Sequence, residues 1–113
     1  MGLFKKKEMP LELSEPATII LTCNSIPTHD KAIYWFEVLL NYTRVGRIEQ
    51  NGAPSTYTTK VDQNVLGLVL VMKENSGKTT ELGGRNQKLE LKEGETVSVV
   101  FENRRFSVNG NRQ

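Results

Sequence analysis

Cys23, Ser25, His29 and Asp30 lie close together in the chain, and their types could do chemistry. A thiol or hydroxyl beside an imidazole and a carboxylate has the composition of a hydrolytic site. Such a site also needs a base oriented by a third group and donors placed for an oxyanion. Nothing around these residues specifies either. His29 stands in the loop Pro27-Thr28-His29-Asp30 and reads as a solvated side chain, whereas Cys23 lies in an apolar run and reads as a small core residue. A small hydrolase working through His29 is therefore the weakest of three functional readings, and no catalytic residue is assigned.

Ser76-Gly77-Lys78-Thr79-Thr80 contains the Gly-Lys-Thr of a phosphate-binding loop. That loop requires a further glycine where Met72 stands, and a helix that aims its amides at the phosphate. The segment reads instead as a hairpin turn. One histidine and one cysteine cannot build a zinc site of imidazoles and thiolates within a single chain. No metal and no cofactor is expected.

Recognition residues are better represented. Trp35, with Tyr34, Tyr42 and Tyr57, could form an aromatic platform for a sugar or peptide. Trp35, Tyr57 and Asn51 are the ligand-binding candidates, with Asn64 and Asn86 as polar neighbours. The competing expectation is that Trp35 packs in the second layer of the core. Tyr42, Arg44, Arg104 and Arg105 are the candidates for contact with a protein partner, since aromatic and arginine side chains are enriched at interface hot spots. Lys5-Lys6-Lys7 and Arg104-Arg105 are short basic clusters without an aromatic RNA-binding signature, so no nucleic-acid partner is expected.

The elements that must position these residues are strands. Ile33–Glu49 reads as a strand, a tight turn at Asn41-Tyr42-Thr43-Arg44 and a returning strand. Tyr34, Phe36, Val38 and Leu40 share one parity, and a strand turns that parity to one face. A helix capped by Asp30 is the rival, but this run lacks the polar face a surface helix needs. Thr18–Ile26 reads as a first strand that could begin at Leu11 with a break at Pro16. Gln50–Pro54 is turn chemistry, Thr56–Val61 a strand and Asp62-Gln63-Asn64 a turn. Val65–Met72 is apolar on both parities, as expected of a central strand covered on both sides, and Gly67 marks a bulge or a close backbone approach. Glu74–Lys78 and Gly83-Gly84-Arg85-Asn86 read as punctuation. Lys88–Lys92 turns Leu89 and Leu91 inward, Thr96–Glu102 places Val97, Val99 and Phe101 on one face, and Arg105–Val108 forms a short last strand after Asn103-Arg104. These segments predict an all-β, single-domain antiparallel β-sandwich or small barrel of seven to eight strands spanning residues 10–113, preceded by a flexible N-terminal arm at residues 1–9.

With 113 residues the chain can bury about two-thirds of its unfolded surface, enough for one core without cross-links. A net charge of +2 is nearly balanced, and without Lys5–Lys7 the rest is slightly acidic. Glu8–Pro16 is too acidic and proline-broken for a signal peptide, and at Gly2 the myristoylation pattern fails because Lys6 replaces the required hydroxyl. The longest apolar run, Val65–Met72, is far shorter than the roughly 20 residues of a spanning helix. A lone cysteine fits a reducing compartment, so a cytoplasmic location is expected. Asn41-Tyr42-Thr43 matches a glycosylation triplet, which matters only in a secreted eukaryotic setting.

The pattern F-E-V-L-L-N-x-x-x-V-G-R-I at Phe36–Ile48 is followed by the Asn51-Gly52 turn, a strand ending near Val61 and L-x-L-x-E-G-E-T-V-x-V-x-F at Leu89–Phe101. This pattern resembles small PEGA-like β-sandwich modules. The chain departs from them at Asn41-Tyr42, where Asn-Gly is usual, and only echoes their Pro-Glu-Gly-type segment in Lys92-Glu93-Gly94. The resemblance implies a non-catalytic module with no catalytic residues, and an extracytoplasmic or surface-associated placement as the alternative to the cytoplasm. The leading functional expectation is an interaction module that binds a protein partner or forms a homo-oligomer through an edge strand or loop face. Carbohydrate binding through exposed aromatics is the alternative.

Overall fold

The computed structural model describes residues 11–24, 32–49 and 52–110. The expected N-terminal arm, the His29 loop and Asn51 lie outside the described residues. The remainder forms eight strands: β1 (Glu12–Cys23), β2 (Ile33–Leu40), β3 (Thr43–Glu49), β4 (Ser55–Val61), β5 (Gln63–Lys73), β6 (Thr79–Glu90), β7 (Thr96–Glu102) and β8 (Arg105–Gly110). They pair into two sheets, β4-β1-β7-β8 and β3-β2-β5-β6, packed face to face as the expected sandwich. One pair departs from the antiparallel arrangement: β1 and β7 run parallel. Parallel neighbours need a long crossover, and here the whole second sheet together with β4 lies within it. Among the described residues no helix is long and apolar enough to cross a membrane.

The core is one row of side chains from each sheet. β2 turns Tyr34, Phe36 and Val38 inward, and Leu66 and Leu68 of β5 lie beside them. Ile19 and Leu21 of β1 and Val97, Val99 and Phe101 of β7 face them from the other sheet. Fully burying one such side chain contributes about 1.5–3 kcal/mol, so the two rows supply most of the force that holds the layers together. Phe36 and Phe101 meet edge to face across the layers, with ring centroids 5.3 Å apart.

Several local expectations change in the fold. The run at 83–86, read as punctuation, is ladder: Gly83, Gly84, Arg85 and Asn86 pair with Leu70, Val69, Leu68 and Gly67. Long-range pairing with β5 outweighs the turn preference of the glycines. Only Leu82 is left over as a bulge, between Glu81 opposite Val71 and Gly83 opposite Leu70. At Gly67 the ladder runs without a bulge. A Cβ there would sit 2.8 Å from the side-chain oxygen Asn86 Oδ1, with the nearest backbone atom, the Arg85 carbonyl oxygen, at 3.9 Å; a side chain rather than backbone makes the close approach. Of the turn at Asp62–Asn64 only Asp62 leaves the strands. Asn64 is buried instead, accepting hydrogen bonds from Asn41 Nδ2 and Thr59 Oγ1 and donating to the Val61 carbonyl, each at 2.9 Å. Satisfied in this way, a buried amide ties the β2–β3 turn to β4 and β5. β1 is continuous through Pro16, with a register shift between Glu12 and Ala17.

The two faces of β5 are not equivalent. Leu66 and Leu68 point into the core, whereas Val69 and Val71 point away from it. Trp35 lies directly opposite Val71, so it covers the outer face and does not join the core layer. Tertiary position decided this, because apart from Glu37 β2 is apolar on both parities.

The β2–β3 turn is tighter than Asn41–Arg44. Only Asn41 and Tyr42 lie outside the strands, at φ 53° and 69°. Two consecutive positive φ values make the turn whose twist matches a hairpin, and its second position favours glycine. Tyr42 is largely exposed and makes up for its strained backbone with little burial. Tyr42→Gly is therefore expected to raise the unfolding free energy by about 0.5–1 kcal/mol, read from a denaturant midpoint shifted upward.

Candidate functional site

Among the described residues β6 and β8 are the unpaired edge strands on one side of the sandwich, and between them the layers do not close. The reason lies in the inner parity of β6. Leu89 is buried, but the next residues on that face are Gln87, Arg85 and Gly83, opposite Leu66, Leu68 and Leu70. A guanidinium cannot be buried against leucine and phenylalanine without a partner, so this end of β6 stands away from the facing sheet. The result is a cleft of about 500 Å³ floored by Phe36, Leu68, Leu70 and Phe101. Leu82, the bulged residue, forms an exposed apolar wall. Phe106 of β8 packs on Phe101, with ring centroids 4.8 Å apart.

The rim is polar and one-signed. Arg85 Nε donates to the Arg104 carbonyl oxygen at 3.3 Å, and both side chains line the mouth with Asn24 and Asn103. Arg104 is held there by a second tight turn, with Asn103 and Arg104 at φ 55° and 64°. Neither guanidinium meets a carboxylate among the described residues. Among the described residues the cleft lining contains no histidine, cysteine, hydroxyl or carboxylate side chain. Its chemistry is apolar burial beside fixed positive charge.

The outer face of β3-β2-β5-β6 is arranged differently. A hollow there, also of about 500 Å³, is lined by Trp35, Glu37, Arg44, Val71 and Glu81, among others. Trp35 Nε1 donates to Glu37 Oε2 at 2.7 Å, Arg44 is ion-paired with Glu37, and Arg47 lies 4.4 Å above the Trp35 ring. Burial opposes the charge on Glu37. Hydrogen bonds from Arg44 and Trp35, with the charges of Arg44 and Arg47, outweigh it and hold the carboxyl below its ordinary range. Trp35 is only 7% exposed, and the guanidinium over its ring takes a face that a sugar would need.

The remaining candidates do not converge. Tyr57 turns inward and packs over Gly46, on the opposite side of the second sheet from Trp35. Tyr34 is in the core and Tyr42 caps a turn, so the four aromatic rings form no common platform. Tyr42 and Arg44 lie toward the β3 edge, whereas Arg104 lies at the β6–β8 edge. Arg105, opposite Glu102, is on the outer face of its sheet. Gly77 forms the expected hairpin turn, donating to the Glu74 carbonyl at 2.8 Å. Cys23 packs beside the core, and burial pushes its thiol up to about 12, leaving almost no thiolate at neutral pH. Arg85 and Leu82 were not singled out by sequence. Extending the Leu89–Leu91 parity upstream would have placed Arg85 on an inner face, but Gly83-Gly84 read as a loop.

The lowered Glu37 titration sets a pH dependence. Its contribution to stability is complete above the titration range of the unfolded carboxyl and is lost as pH falls through the lower folded value. Glu37→Gln is expected to be less stable than the parent near neutrality. The two should converge in acid, as denaturant unfolding across a pH series would record.

Comparison of the chain with protein-family models, with curated proteins and with solved structures finds no match.

Proposed function

We propose that this chain is a non-catalytic β-sandwich interaction module that engages a protein partner at the β6–β8 edge. The observation that carries this reading is the cleft itself, where exposed Leu82 and half-buried Leu70 open onto a floor of nearly buried Phe36, Leu68 and Phe101 between two edge strands. Edge strands offer unpaired backbone groups to an added strand. β8 is the better template of the two, because its register with β7 is unbroken whereas β6 carries the Leu82 bulge. The pair Glu102↔Arg105 closes a two-residue hairpin, and antiparallel alternation then turns the N–H and C=O groups of Phe106 and Val108 toward the free side. The resemblance to PEGA-like modules, which are non-catalytic sandwiches, belongs to the same proposal. The single cysteine supports a cytoplasmic location for it.

Random displayed segments of roughly nine residues, selected on the full chain, provide the test, since edge addition recognises extended backbone. Bound segments are expected to slow amide exchange at Phe106 and Val108. Leu82→Gln should weaken them about tenfold, as loss of one buried leucine implies, without moving the unfolding midpoint. Segments that leave both amides and Leu82→Gln unaffected would overturn the assignment. In a light-scattering concentration series, growth of a dimer that these segments dissolve would identify the partner as a second copy.

A further inference from the structure

We infer that the segment taken up by this edge carries a carboxylate flanked by apolar side chains at alternate positions. The inference rests on the interaction reading above and adds the chemistry of the ligand. An extended strand laid along β8 presents alternate side chains to the space between the sheets. That space has a floor of Phe36, Leu70 and Phe101, which accepts apolar groups and gives nothing to a polar one. At its mouth the Arg85 and Arg104 side chains flank the same opening, with no carboxylate of this chain on either among the described residues.

The arginines on the outer face of the β3-β2-β5-β6 sheet show a contrast, although exposed Arg105, on the outer face of the other sheet, has no ion pair either among the described residues. Arg44 is paired with Glu37, and Arg47 stacks on Trp35 and lies 3.8 Å from Glu49. On that face the arginines are neutralised from within. At the cleft they are not, and the Arg85 Nε bond to the Arg104 carbonyl holds the guanidinium at the rim without quenching its charge. Guanidinium groups bind carboxylates through paired, charge-assisted hydrogen bonds, and the apolar floor lowers the local dielectric and strengthens them. A basic or uniformly polar segment would leave these charges opposed and the floor uncovered. The fit is an aspartate, a glutamate or a chain-terminal carboxylate between apolar neighbours.

The probe is the segment most enriched in the displayed selection, made as a synthetic peptide and titrated calorimetrically. The parent chain is compared with the double variant Arg85→Gln/Arg104→Asn and with Leu82→Gln. Both arginines are exposed, and asparagine accepts the positive φ of position 104, so the variants should unfold at the parent midpoint. Enriched segments should carry an acidic residue between apolar ones. Affinity for the double variant should fall about tenfold or more, the loss expected of charge-assisted bonds. Raising salt from about 50 to about 500 mM should weaken the parent complex and leave the double variant nearly unchanged. Selection without acidic enrichment, or equal affinity for the double variant, overturns the carboxylate inference. If Leu82→Gln still weakens binding in that case, the cleft remains the binding site. If neither variant has an effect, both readings fall.

Discussion

A strand shows its side chains to two faces in turn, so each sheet must hide one of its faces from water. Here everything depends on how far the two hidden rows match. Where β1 and β7 oppose β2 and β5, both rows are apolar and the layers close, down to complete exclusion of Ile19, Val38, Leu66 and Val99. Along β6 the match ends, because the inner row passes from Leu89 to Gln87 and Arg85. The layers separate there for want of anything to bury. The cleft is thus a consequence of two polar side chains and a glycine on one edge strand.

The same rule accounts for the outer face of the second sheet. β5 and, apart from Glu37, β2 are apolar on their second parity, and no layer of the described residues covers that side. Trp35 spreads over Val71 and is itself roofed by Arg47, while Glu37 gathers the indole N–H and the Arg44 guanidinium. Cation–π contact and ion pairing are each worth only a fraction of a kilocalorie to about 1 kcal/mol at such positions, but together they close a patch that would otherwise adhere. One apolar region of the molecule is sealed by its own charges. The other keeps its arginines unspent.

Much of the fold was legible before any coordinates. Strand parity marked Leu89 and Leu91 as inward and put Val97, Val99 and Phe101 on one face, and all five are buried. Asn41-Tyr42 and Asn103-Arg104 were recognised as turns, though a tyrosine and an arginine at positive φ were not foreseeable from residue preference. The candidate site was hardly legible. Arg104 was noted as half of a basic pair, but Arg85 lay in a segment whose glycines suggested a loop, and Leu82 became prominent only as a bulge. Glycine preference is a local quantity, and eleven ladder pairs with β5 override it.

By itself the order of residues determined the period of two and the two-row core. Those properties follow from each residue and its nearest neighbours. Which parity of β2 faces the core, the parallel partnership of β1 with β7 and the meeting of Arg85 with Arg104 were decided only in three dimensions. Each depends on strands distant in sequence competing for the same neighbours, and that competition is resolved by the packing of the whole sandwich.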